Sequence, residues 1–257
     1  MPDRNPPDAP RRGLRDRLRL PATDPEPLHR WGIGAFVAVE AVFVLSAVVL
    51  AAILHPGAPN GPLPIATVLV GTIVPAVLAA TAAVLVTVFR GNGPRVDLRL
   101  RITAADVRTG VKLGAAGLVL TVVAAELWTR LVGSDHATSA ISSLVGGDRL
   151  SVPAAIMMFV YTWLVGPVCE ELIFRGLCWG AFERQWGRWW AFGLSTAIFA
   201  VSHLEPLRTS LLLVIAVPIG MGRLLTGRLP ASIVAHQVNN FLPALTALLM
   251  ALGVMSP

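Results

Sequence analysis

Apolar residues in this chain run in long stretches broken by short polar segments, covering about 31–54, 63–89, 111–133, 152–182, 189–204, 208–227 and 230–252. A helix needs about twenty apolar residues to cross the hydrocarbon of a bilayer. Runs of that length leave no polar face to turn toward water, so they read as membrane spans. The pattern predicts an all-α polytopic transmembrane helix bundle of about seven spans, with 189–204 the shortest. Residues 1–30 are rich in Pro, Arg and Asp without periodicity, and read as a disordered basic tail. The run from Trp31 to Leu54 is too long for the apolar core of a cleaved signal. Two regions follow: a tail over 1–30 and a transmembrane domain over 31–257. Thr103-Ala-Ala-Asp106 resembles a capping box, so the third helix is expected to start before it enters the bilayer.

Composition supports the class. Charged residues make up 14% of the chain, against about 25% in soluble domains. Their placement adds topology. Seven arginines precede the first run, the loop His55–Pro62 has none, and 90–110 carries five. Segment 134–150 has only Arg149 against Asp135 and Asp148, while Arg184, Arg188, Arg223 and Arg228 mark later breaks. Basic and non-basic loops alternate as the positive-inside rule requires, which predicts a cytoplasmic N-terminus. Trp186, Trp189 and Trp190 beside Arg184 and Arg188 fit an interfacial belt. The net charge of +6 is thus a topology signal. No basic stretch is interleaved with stacking aromatics, and a nucleic-acid partner is not expected. Arginine outnumbers lysine twenty to one, a bias that points to a GC-rich bacterial genome and so to a bacterial inner membrane. Cys169 and Cys178 lie nine positions apart on one expected helix, with neither disulfide reach nor zinc spacing.

Ionisable side chains inside spans are costly and mark candidate sites. The densest cluster is Gly166-Pro-Val-Cys-Glu-Glu-Leu-Ile-Phe-Arg-Gly176. Successive helical residues point about 100° apart, so Glu170 and Glu171 have different tasks. Glu171 and Arg175 stand i,i+4 in the favourable order for an ion pair. Glu170 is left to face a cavity, and Pro167 loosens the helix just before it. In an antiparallel hairpin turning at Trp186–Gly187, Glu170 and His203 fall at matched depth, where carboxylate and imidazole can together deprotonate a water. Phe199 lies one turn before His203 and walls the same face. His236 and Asn240 share a face one turn apart. They read either as oxyanion donors or as polar contacts between helices. Glu126 and Arg130 read as a structural pair, and Glu40 has no role beyond facing the bundle interior. His-Glu-x-x-His and Gly-x-Ser-x-Gly signatures are absent.

Glu170-Glu171-Leu-Ile-Phe-Arg175, Phe199-Ala-Val-Ser-His203 and His236-Gln-Val-Asn-Asn240 together resemble the CPBP family, the CAAX proteases and bacteriocin-processing enzymes, over about 150–250. The resemblance implies a membrane-embedded peptidase. It makes Glu170 the general base, assisted by His203, with His236 and Asn240 at the oxyanion site and Glu171 and Arg175 in support. It also implies an alternative in which zinc is bound by Glu170, His203 and His236; the metal-free form is the expectation. The expected partners are membrane lipid and a peptide or membrane-protein substrate. A non-catalytic scaffold or bacteriocin-immunity protein on the same fold is the competing reading. A transporter is a third, against which stands the absence of paired broken helices in two related halves.

Overall fold

The computed structural model describes residues 30–54, 65–133 and 150–255. The tail, the loop His55–Pro62 and segment 134–149 lie outside them. Among the described residues the chain is all helix, in the order α1 Ile33–Leu54, α2 Ile65–Arg90, α3 Pro94–Asp97, α4 Ala104–Val132, α5 Val152–Trp186, α6 Arg188–Ser202, α7 Thr209–Thr226 and α8 Leu229–Ala251. A 3-10 turn, Pro206–Arg208, leads into α7.

Among the described residues six helices are long and apolar enough to cross a membrane, against the seven or so runs of the sequence. The exception is α6. Its 15 residues rise about 22 Å, short of the roughly 30 Å of hydrocarbon. By contrast α5 runs for 35 residues. The reversal between the two falls at Gly187, whose φ of 83° is left-handed and suits glycine. Trp186, Trp189 and Trp190 beside this turn are exposed.

Two polar knots fix the end of the bundle where α2 leaves and α4 begins. Thr103 caps α4 in a reciprocal capping box with Asp106, and Arg228 Nε reaches both Asp106 carboxylate oxygens at 2.9 Å. Trp31 Nε1 donates to buried Asp97 at 2.8 Å, and the Asn92 backbone and side chain donate to the same carboxylate. A Cβ at Gly91 would stand 1.8 Å from Asp97 Oδ2, so only glycine fits that turn.

The contact that matters most for the site is α4 on α8. Gly110 and Gly114 bring α4 against the α8 backbone: a Cβ at Gly114 would lie 2.6 Å from Ala235 O and from Val238 Cβ. Small residues that let backbones approach are the common device for helix association in lipid. Thr121 Oγ1 donates to buried Asn239 Oδ1 at 3.0 Å and pins the register.

Candidate active site

Pro167 cannot supply a helical N–H, and α5 answers by widening. Tyr161–Val165 and Leu172–Cys178 are π-helical, and Gly166–Glu171 between them is α-helical. Glu170 and Glu171 therefore sit in a single ordinary turn between two wide ones. Wide turns of this kind recur at functional sites because each re-aims the side chains beyond it.

The two glutamates differ as their spacing predicts. Glu171 is fully buried, while the side chain of Glu170 is 32% exposed. Arg175 Nη1 donates to Glu171 Oε1 at 3.0 Å. The same guanidinium donates to Ala216 O on α7 at 3.3 Å and lies 4.3 Å above the Phe199 ring. Arg175 thus ties α5, α6 and α7 together in the core.

His236 comes in from α8. Its Nδ1 lies 3.0 Å from Glu171 Oε1, and a carboxylate in that contact accepts, so Nδ1 carries the hydrogen. Its Nε2 faces Glu170 Oε2 at 3.7 Å. Glu171 is therefore the partner of His236 as well as of Arg175, a link that the i,i+4 spacing could not disclose.

The expected direct pairing of Glu170 with His203 is not formed. His203 lies just past the last residue of α6 and is exposed, with Nδ1 2.8 Å from Phe199 O. A carbonyl can only accept, so Nδ1 is the donor and Nε2 keeps its lone pair. Among the described residues no hydrogen bond or ion pair joins His203 to Glu170 or to His236. The reason is local: at the helix end the ring folds back on its own last turn, while the tight α4–α8 packing delivers His236 to the glutamates. Phe199 is what the histidines share, with ring centroids 4.8 Å from His203 and 5.8 Å from His236.

Asn240 is half-buried, and its Nδ2 donates to Thr162 O on α5 at 3.3 Å. Gln237 Nε2 approaches Leu164 O at 3.4 Å. Gln237 and Asn239 were not among the residues singled out from sequence, although polar side chains in an apolar span were the available signal. Glu126 and Arg130 pair at 2.8 Å in an exposed position away from this cluster. Among the described residues no three His, Cys, Asp or Glu side chains converge as a metal would require. Glu170, His203 and His236 as placed do not fit a zinc ion.

The six-residue spread of chemistry over α5, α6 and α8 coincides with what is recognisable in the chain. Residues 152–242 match the family model described as Type II CAAX prenyl endopeptidase Rce1-like. No curated protein and no solved structure matches. The matched stretch contains all three motifs, and over it this multi-pass membrane protein is similar to the CAAX-protease-like membrane endopeptidases.

Proposed function

We propose that the chain hydrolyses a peptide bond within the membrane, with Glu170 as the general base. The observation that carries this reading is the 3.7 Å between Glu170 Oε2 and His236 Nε2. That is too long for a direct hydrogen bond, yet an oxygen atom between the two is within reach of both. The partial exposure of Glu170 leaves it accessible, while the fully buried Glu171 holds the imidazole from behind. In the reaction, Glu170 takes a proton from water as the oxygen attacks the scissile carbonyl carbon. The carbonyl π pair moves onto its oxygen, which the second N–H of Asn240 and, in the doubly protonated ring, the Nε2–H of His236 stabilise as donors. The C–N bond then breaks, and the proton held by Glu170 passes to the leaving amine. His203, with its exposed Nε2 lone pair, assists by accepting a hydrogen bond from the incoming water.

The substrate under this reading is a membrane-associated peptide or protein, and the basic loops face the cytoplasm of a bacterial cell. The test is cleavage of quenched-fluorescence peptides by purified full-length chain in nanodiscs. Glu170→Ala is expected to lower kcat at least about 100-fold, in the range typical of a lost general base. Full activity in Glu170→Ala overturns the base assignment. Activity lost on chelation and restored by zinc overturns the metal-free mechanism. A biological effect retained by Glu170→Ala, with no cleavage by wild type, identifies a scaffold.

A further inference from the structure

The wide turn Tyr161–Val165 has a hydrogen-bond deficit that can be traced atom by atom. Gly166 N–H donates to Tyr161 O, five residues back. It is therefore taken from Thr162 O, which it would serve in an α-helix. In the five-residue register the donor to Thr162 O would be the N–H of residue 167, and Pro167 has none. Thr162 O thus has no donor in its own helix. In lipid it finds no free water either, so a neighbouring span must satisfy it.

The donors come from α8. Asn240 Nδ2 lies 3.3 Å from Thr162 O, and Gln237 Nε2 lies 3.4 Å from Leu164 O, two residues on in the same wide turn. On the opposite flank Tyr161 OH donates to Thr72 O of α2 at 3.3 Å. A wide turn contains one residue more than the α-turn it replaces, which rotates everything beyond it by about 100°. Were the turn to relax, Glu170 would swing away from His236 by about that angle.

We propose that Gln237 and Asn240 are positioning residues: their amides hold the Tyr161–Val165 turn open, and the open turn aims Glu170 at His236. This assigns a task to Gln237, which lies outside the His236–Asn240 pair, and gives Asn240 a second one through its other N–H. The kinetic arm of the test rests on the endopeptidase reading; the spectroscopic arm does not.

Thr-Trp occurs once in the sequence, at Thr162–Trp163. Threonine labelled with 13C at the carbonyl, combined with 15N-tryptophan, therefore isolates the Thr162 carbonyl resonance in the full chain in nanodiscs. Asn240→Leu is expected to shift that resonance upfield, as a lost hydrogen bond does. An unmoved resonance overturns the clasp whether or not any peptide is cleaved. Gln237→Met keeps side-chain length and removes the donor. It is expected to lower kcat roughly tenfold to a hundredfold, as small misplacements of a catalytic group do, with KM unchanged within about twofold. Gln237→His, which restores an N–H at similar reach, is expected to recover part of kcat. Unchanged kcat in Gln237→Met, or a loss carried by KM alone, overturns the positioning role. Pro167→Ala supplies the missing N–H, so Asn240→Leu should cost less kcat in that background. Equal costs in both backgrounds overturn the role of Asn240 in aiming Glu170.

Discussion

His236 and Glu171 meet at 3.0 Å, Nδ1 to Oε1, in a buried contact that joins α8 to α5. Arg175 shares the same Glu171 oxygen, so one carboxylate orients the imidazole and neutralises the guanidinium together. Removing the carboxylate leaves Arg175 as a buried cation without a carboxylate partner. Breaking such a pair from one side costs about 3–5 kcal/mol, whereas replacing both partners by apolar residues is often neutral. Glu171→Ala is therefore expected to lower stability by about that amount, and Glu171→Leu with Arg175→Met to restore most of it without activity. Unfolding in mixed micelles measures both. A double variant as unstable as Glu171→Ala contradicts the account.

His203 and His236 should separate in the same assay. His203 is exposed and bonded only to a carbonyl of its own helix, so His203→Ala should change stability by less than about 0.5 kcal/mol. His236→Ala removes a buried donor from Glu171 and should cost about 1–3 kcal/mol. Both variants should lose activity. Equal stability losses would show that His203 is more deeply engaged than its hydrogen bonding indicates.

Gly114 tests whether α4 sets the position of His236. A Cβ there meets Ala235 O and Val238 Cβ at 2.6 Å, and overpacking of this kind costs about 1–3 kcal/mol. Gly114→Val is expected to lower kcat by about tenfold or more as α8 is pushed away. At Gly71 a Cβ meets nothing within 4 Å, so Gly71→Ala is the silent control. Full activity in folded Gly114→Val removes α4 from the positioning of the site.

The Trp31–Asp97 knot should matter for stability alone. Asp97→Ala removes the carboxylate that the Trp31 and Asn92 donors share, at about 1–3 kcal/mol. Cleavage per folded molecule should stay within about twofold of wild type, because none of these groups touches the glutamates. A selective loss of kcat would place this knot in the catalytic path.

Much of the fold was legible because spans answer to a rule that needs no partner: a stretch must be apolar for its full length, and the runs at 31–54 and 230–252 became α1 and α8 almost residue for residue. The run at 189–204 was legible as the shortest of the set, and its helix, Arg188–Ser202, is too short to count among the spans. Thr103 and Asp106 formed the expected cap because capping is local, closed within four residues. Their further partner, Arg228, lies too far along the chain for any local rule to reach.

Glu170 and Glu171 divide along the same line. The sequence by itself determined that they point apart and that Glu171 pairs with Arg175, because helical geometry fixes neighbours one turn away. Tertiary structure decided which histidine each glutamate faces. That choice depends on the open turn before Pro167, on the close approach of α4 to α8 at Gly114, and on the end of α6 falling at His203. None of these is a property of one segment. Each arises where unpaired backbone groups and close-packed surfaces of different helices must be satisfied at once.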